Sequence, residues 1–380
     1  MGLDYEVLRL IWWALLGILL IGFAVLDGFD LGAAMLLPYF GRNDVERRIV
    51  INSVAPVWEG NQVWLILGAG AAFAAWPHVY AVSFSGFYGA MFLALFAIVL
   101  RPVGFKYRSK MPSQRWRTTW DWLLVISGFV PSLVFGIAFG NLFLGVPFHF
   151  DDTLRLTYSG TFWQLLSPFA LLCGGVSVVM LALQGTTYIA MKTEGHIQER
   201  AQKLARRLSP ILIALFTFAG VVLVLNHPSY EITSAIDPLG PSNPTFKEVT
   251  AVPYGWLQRY QAYPLLWVVP ALCILALILV MAAHRWQRNG IAFVCSSLAT
   301  TSIIATAGLS LFPFLLISSS HPGHSLSVWD ASSTEMTLRI MLIVVALLLP
   351  IVLAYTAWMY RVFRGPITDK TLDDEKLNAY

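Results

Sequence analysis

Long apolar runs separated by short polar connections make up most of the chain. A helix needs about 20 mainly apolar residues to cross the hydrocarbon core of a bilayer. Nine runs reach that length, at residues 8–37, 49–76, 79–101, 120–144, 162–190, 209–226, 263–284, 291–317 and 336–360. The pattern therefore predicts an all-α integral membrane protein, a single membrane domain over residues 1–380 with nine transmembrane helices.

The second and third runs are the hardest to assign. The second contains Glu59, Asn61 and Gln62, and hydropathy alone would place this polar stretch in a loop. The boundary between the two runs rests on Trp76-Pro77-His78, which has the composition of a tight turn with an interfacial aromatic residue. The regular succession of hairpins allows two four-helix bundles and one additional helix.

The basic residues test this count of helices. Twenty of the 25 Lys and Arg residues fall in the first, third, fifth and seventh connections and in the C-terminal tail. Connections on the cytoplasmic side carry an excess of Lys and Arg, so the N-terminus is expected on the periplasmic side and the C-terminus in the cytoplasm. Eight spans would break this alternation, whereas nine preserve it.

Composition narrows the class of protein further. The chain is 57% hydrophobic and only 12% charged, about half the charged fraction of a typical soluble domain. A soluble enzyme, a disordered protein and a nucleic-acid-binding protein are therefore not expected. The three cysteines lie in apolar stretches without a Cys-x-x-Cys pair, so neither a disulfide framework nor a cysteine-ligated metal is expected.

Three carboxylic acids in the first two runs need an explanation, because an ionisable group within a span costs about 2.5–3.5 kcal/mol on insertion scales. Asp27 and Asp30 lie three residues apart on one helical face, and Glu59 follows Trp58 in the second run. In an antiparallel hairpin Asp27 and Glu59 would lie at similar depth, roughly 15 Å from the cytoplasmic end. They are candidates for a proton path open to the cytoplasm; the alternative is hydrogen bonding that holds the bundle together.

The remaining polar groups favour chemistry supplied by a partner. Arg101 ends the third run, where a snorkelling interfacial arginine is the alternative to a functional one. All seven histidines fall in loops or at span ends, and a membrane haem usually takes an axial ligand from within a helix. No haem ligand and no metal site are therefore expected in this chain, which also lacks nucleotide-binding and zinc-protease motifs.

Distinctive sequence blocks extend over nearly the whole chain. They include Asp27-Gly28-Phe29-Asp30, Glu46-Arg47-Arg48-Ile49, Trp58-Glu59-Gly60-Asn61-Gln62, Phe73-Ala74-Ala75-Trp76-Pro77, Arg101-Pro102 and Phe312-Pro313-Phe314. On these blocks the chain resembles subunit II of the cytochrome bd-type quinol oxidases. The resemblance implies two four-helix bundles and a peripheral ninth helix in a bacterial inner membrane.

The resemblance also implies a partner and cofactors. Subunit I of such an oxidase carries haem b and haem d, oxidises quinol and reduces O2 to water with protons taken from the cytoplasm. Subunit II would belong to this enzyme, a terminal oxidase of the respiratory chain, without ligating haem itself. A small accessory subunit and a structural quinone are further components that the family allows, and no residues are assigned to that quinone.

By the same resemblance, Asp27 and Glu59 match acidic positions of a proton path toward haem d. Asp30, Trp58 and Arg101 match positions linked to the haem environment and to assembly. The chain differs from the family pattern at two positions. Glu59 occupies a position where many relatives have Asp, and Lys106 occupies a position where some relatives have an acid. The second departure changes the local charge near the cytoplasmic end of the third run.

Two other functions are compatible with a multispan protein. In a proton-coupled secondary transporter, Asp27 and Glu59 would couple protons to a solute, but such transporters show inverted repeats and paired broken helices, which are not evident here. In a purely structural membrane subunit, the same acids would only bind helices together.

Overall fold

The computed structural model describes residues 3–367, and most of them are helical. The helices are α1 Tyr5–Met35, α2 Leu37–Phe40, α3 Asp44–Val54, α4 Trp58–Ala75, α5 Pro77–Gly86, α6 Tyr88–Tyr107, α7 Gln114–Leu144, α8 Pro168–Lys192, α9 Gly195–Asn226, α10 Gln258–Ala262, α11 Val268–Arg285, α12 Asn289–Leu311 and α13 Glu335–Val362.

Six short strands form three antiparallel hairpins in the connections after α7, α9 and α12. The strands are β1 Phe148–Phe150, β2 Leu156–Tyr158, β3 Ser229–Ile232, β4 Val249–Val252, β5 Phe314–Leu316 and β6 Leu326–Ser327. The predicted orientation places all three hairpins on the periplasmic side.

Nine of the helices within residues 3–367 have 18 residues or more. Eight of them are long and apolar enough to cross a membrane. The ninth is α4, whose first five residues include Glu59, Asn61 and Gln62. The structure is thus that of a mostly helical protein with eight candidate membrane spans within residues 3–367, while the count of nine spans and the orientation of the termini stay predictions.

The second and third predicted helices, 49–76 and 79–101, are wrong as continuous elements. The first is divided because Pro56 has no backbone N–H to continue α3, and a turn from Val57 N–H to the Val54 carbonyl (3.0 Å) leads into α4. The second is divided at Phe87, between α5 and α6. The latter helix then runs through Pro102 to Tyr107, beyond the predicted stop.

Other boundaries differ where polar residues extend or end a helix. The predicted span 120–144 begins at Gln114, because the Ser113 hydroxyl caps the helix by accepting from Trp116 N–H. The span 209–226 is the second half of α9, whose first half is charged and helical. Hydropathy detects only the apolar part of such a helix.

Two further predicted spans are too long at one end. The span 162–190 begins as a helix only at Pro168, with Ser167 as the N-cap residue. The span 291–317 ends as a helix at Leu311, and its last residues form strand β5. The remaining spans, 8–37, 263–284 and 336–360, agree with α1, α11 and α13 to within five residues at each end.

The long helices pack in two groups of four. In the first group α1 packs on α4 and α7, and α7 on α6; in the second α8 packs on α9 and α12, and α11 on both of these. Contacts of α8 with α1 and α7 join the groups. Among the long helices, α13 packs mainly against α1 and α4, and it leaves most of its side chains exposed.

The joint between the two groups depends on glycine. A methyl group on Gly185 of α8 would lie 2.7 Å from Gly32 Cα and 2.5 Å from Ala33 N on α1. Small residues allow two helices to approach so closely. Asp27 and Asp30 lie within two turns of this contact, so the glycine pair holds the segment of α1 that carries them against α8.

Replacing Gly185 by Ala should push α1 and α8 apart. Overpacking of this kind costs about 1–3 kcal/mol, and a lower melting temperature of the purified complex would report it. Gly175→Ala on the same helix is the matched control, because no atom lies within 4 Å of the added methyl group. Equal melting temperatures for the two variants would contradict the conclusion that Gly185 allows the close approach of α1 and α8.

Candidate functional site

Two carboxylates of α1 lie in the interior of the first helical group. Asp27 and Asp30 are both fully buried, with 0% exposure. One turn of helix separates them, so they point in similar directions. Charged groups in so dry an environment need partners.

Asp27 is held by Arg101 of α6. The guanidinium forms a fork: its Nη1 lies 2.8 Å from Asp27 Oδ1, and its Nη2 donates to Oδ2 over 3.1 Å. Arg101 is as completely buried as its partner. The arginine is therefore a buried ion-pair partner, not a residue that snorkels to the membrane surface.

Trp58 completes the surroundings of this ion pair. The centre of the Arg101 guanidinium lies 6.0 Å from the centroid of the Trp58 ring, within range of a cation–π interaction. On its other side Trp58 meets Phe105 edge-on, with 5.8 Å between ring centroids. The indole is nearly fully buried and helps to keep bulk water from the salt bridge.

Asp30 is held by a different set of partners. Asn61 of α4 donates from Nδ2 to Asp30 Oδ2 over 2.8 Å. Tyr360 of α13 in turn donates from its hydroxyl to Asn61 Oδ1 over 2.7 Å. A chain of hydrogen bonds thus joins the buried carboxylate to the peripheral helix.

Glu59 lies apart from both carboxylates. Its side chain is 62% exposed and forms an ion pair with Lys106 over 3.4 Å, where the lysine is 52% exposed. Glu59 is the second residue of α4, and Asn61, two residues later, projects toward α1; positions two apart face different sides of a helix. The structure therefore does not bring Glu59 beside Asp27 at mid-depth.

Five buried polar atoms of this region have no hydrogen-bond partner among the described residues: Asp27 Oδ1, Asp30 Oδ1, Trp58 Nε1, Arg101 Nε and Arg101 Nη1. Two of them, Asp27 Oδ1 and Arg101 Nη1, face each other in the ion pair. Buried polar groups are nearly always satisfied by protein or by ordered water. These atoms cluster around the two carboxylates. This polar site can therefore bind ordered water or a polar group of a partner protein.

Asn61 and Tyr360 were not identified as site residues from the sequence. Asn61 is recognisable only as a polar residue beside Glu59, and Tyr360 resembles an interfacial aromatic residue near the end of a span. Neither type of residue signals a contact across 299 positions of sequence. The hydrogen bond becomes visible only when α13 is packed against α4.

A second charged cluster lies in the cytoplasmic connections of the predicted topology. Asp121 of α7 accepts from Arg47 Nη1 over 2.6 Å and from Arg108 Nε over 2.5 Å, and Arg108 also pairs with Asp44 over 3.0 Å. These ion pairs fix the start of α7 to α3 and to the end of α6. Within residues 3–367, no group of three His, Cys, Asp or Glu side chains is placed to hold a metal ion.

The fold is a helical membrane assembly with a buried acidic cluster, and it matches a solved membrane oxidase. The structure of bd oxidase from Geobacillus thermodenitrificans superposes with a TM-score of 0.67, over 94% of this chain and 98% of the other, at 14% identity. At that identity the likeness shows the fold alone.

Sequence comparison identifies the family. The family model for cytochrome bd terminal oxidase subunit II matches residues 8–363. The chain is 49% identical over 378 residues to cytochrome bd-I ubiquinol oxidase subunit 2 of Escherichia coli K12, with 100% of both chains covered. It is 32% identical to cytochrome bd ubiquinol oxidase subunit 2 of Bacillus subtilis, with 95% of this chain and 97% of the relative covered.

The chain belongs to the cytochrome bd terminal oxidase subunit II family. It is a multi-pass protein of the bacterial inner membrane and a subunit of a terminal quinol oxidase, an oxidoreductase complex with haem cofactors. The family membership also implies a complex with subunit I.

Removing Arg101 should destabilise the chain strongly. Arg101→Gln leaves Asp27 as a buried charge without its cation, and breaking a buried pair in this way costs about 3–5 kcal/mol. We expect a lower melting temperature and a lower yield of the purified complex, with partial recovery in the double variant Asp27→Asn/Arg101→Gln. Arg115→Gln, at an exposed cytoplasmic arginine of the predicted topology, serves as the control. An Arg101→Gln complex as stable as this control would refute the pairing.

Proposed function

We propose that this chain supports the haem-bearing subunit I and supplies a cytoplasmic proton path for the reduction of oxygen to water. The relatives from E. coli and B. subtilis are ubiquinol oxidases by name, and we extend ubiquinol as electron donor to this complex. In the complex, haem b and haem d are held by subunit I and supply the redox chemistry. Proton uptake from the cytoplasmic side then contributes to the proton-motive force.

The observation that carries the proposal is the pair of buried acids with unequal partners. Arg101 forks onto Asp27, so the charge of that carboxylate is compensated. Asp30 is held by the neutral amide of Asn61, and its Oδ1 has no partner among the described residues. A second charge beside Asp27 is costly in a low-dielectric interior. Asp30 is therefore the group suited to take up a proton and release it again.

Asp27 and Arg101 then have a positioning role. Their ion pair sets a fixed local field next to Asp30, and the forked geometry keeps both side chains from rotating. The nearly buried Trp58 covers this pair, so protons must move through the ordered polar groups and not through bulk water. The arrangement supports directed proton uptake.

The position of Glu59 supports the second part of the proposal, which concerns where subunit I binds. Glu59 pairs with Lys106 on the exterior of the protein, and the following turns of α4 carry the exposed apolar residues Val63 and Ile66. A charged pair facing lipid is costly, whereas a partner subunit can pair with it. We therefore place subunit I against the α4 and α6 surface, where Glu59 would carry protons between the subunits.

The proposal is tested by separating turnover from assembly. Asp27→Asn, Asp30→Asn and Glu59→Gln each replace an acid by an amide of similar size. If Asp30 and Glu59 carry protons, quinol-driven oxygen consumption should fall by roughly tenfold or more in Asp30→Asn and Glu59→Gln, as expected for lost proton transfer, and Asp27→Asn tests the positioning acid. Haem content, measured by absorbance of the purified complex, should remain close to that of the wild type for Glu59→Gln and Asp30→Asn.

Glu199→Gln is a matched control, since this acid lies on α9, in the other helical group, and is 61% exposed. Normal turnover with intact haems in all three variants would exclude the proton path. Haem loss in proportion to the loss of turnover would instead support a purely structural subunit.

A further inference from the structure

The end of α13 makes a specific polar contact with the buried acids. Most of this helix is exposed and apolar. At its cytoplasmic end in the predicted topology, however, Tyr360 is half-buried, and its hydroxyl lies 2.7 Å from Asn61 Oδ1. The neighbouring Met359 is buried in the same apolar cluster as Trp58.

The position of Tyr360 is fixed from a second direction. Just beyond the helix end, the Lys192 ammonium of α8 donates to the Phe363 carbonyl over 2.5 Å. Lys192 thereby ties the last turn of α13 to the second helical group. Tyr360 lies between this contact and the buried Met359, and both hold the end of α13 where its hydroxyl meets Asn61.

The hydrogen bonds of Asn61 have a defined direction. An ionised carboxylate only accepts hydrogen bonds, so while Asp30 is ionised the amide nitrogen of Asn61 faces its Oδ2. The amide oxygen then faces Tyr360, whose hydroxyl has to donate. The hydrogen bond from the tyrosine thus stabilises the orientation in which the amide turns its N–H toward Asp30.

We propose that Tyr360 is a positioning residue for Asp30 and acts by holding the Asn61 amide with its N–H toward the carboxylate. Without the hydroxyl, the amide oxygen loses its donor and the amide is held at one end only, so it leaves the orientation that donates to Asp30 more readily. The effect on turnover rests on the proposed proton path through Asp30, whereas the effect on the Asp30 carboxyl group does not.

The first experiment compares Tyr360→Phe with Tyr355→Phe in the full complex. Both variants remove one hydroxyl from α13 without changing the ring, but Tyr355 is 61% exposed. Infrared difference spectra are recorded on oxidised and reduced enzyme, and the Asp30 carboxyl band is identified by its loss in Asp30→Asn. We expect that band to shift in Tyr360→Phe and to stay in place in Tyr355→Phe, with full haem content in both.

The second experiment asks whether Tyr360 acts through Asn61. Oxygen consumption should fall roughly fivefold in Tyr360→Phe, the equivalent of one neutral hydrogen bond. Adding Tyr360→Phe to Asn61→Leu should cause no further fall, because residues in one hydrogen-bond network are not additive. A second fall of the same size would overturn the proposal.

An unshifted Asp30 band in Tyr360→Phe, or an equal shift in Tyr355→Phe, would also overturn it. Failure of the proposed proton path gives a different result. In that case Asp30→Asn turns over normally, while the band shift in Tyr360→Phe still shows that the tyrosine positions the carboxyl group.

Discussion

The rest of the structure depends on keeping a charge pair in the membrane interior. Asp27 and Arg101 come from α1 and α6, and neither helix can move without exposing one ion to a low-dielectric surrounding. Such a pair contributes little net stability, because desolvation offsets the attraction, but separating it is expensive. Its effect is therefore to exclude other arrangements of the first helical group. Trp58 and Asn61 find their places around that fixed pair.

Helix α1 connects this constraint to the second helical group. Its cytoplasmic half carries the acids on one side and Gly32 on the side that meets Gly185 of α8. The same segment of α1 thus places the acids in the first helical group and brings its backbone against α8 of the second group. This geometry explains why the two acids lie deep in the protein although α1 is the first helix of the chain. A disturbance of the glycine contact should therefore also reach the acids.

Much of the fold could be predicted from the sequence. Long apolar runs indicate the helices that contact lipid, and the Lys and Arg residues of the connections indicate their side of the membrane. The boundaries were harder, since a polar segment such as the first half of α9 continues a helix without changing its hydrophobic signal. For the site, Asp27, Asp30 and Arg101 were recognisable as polar groups in an apolar setting. The direction of the Glu59 side chain could not be predicted, because it depends on where α4 begins after Pro56. The role of Tyr360 could not be predicted either, because it depends on the packing of α13 against α4.

The polar start of α4 has a consequence for how the protein is made. A segment that begins with Glu59, Asn61 and Gln62 has little tendency to partition into lipid by itself during synthesis. Asn61 is satisfied by Asp30, which α1 has already brought into the bilayer, so the two helices compensate each other's polar groups. The α4 segment would then insert only when it packs against α1. In that case the buried acids would guide membrane insertion during biogenesis, before the assembled enzyme turns over.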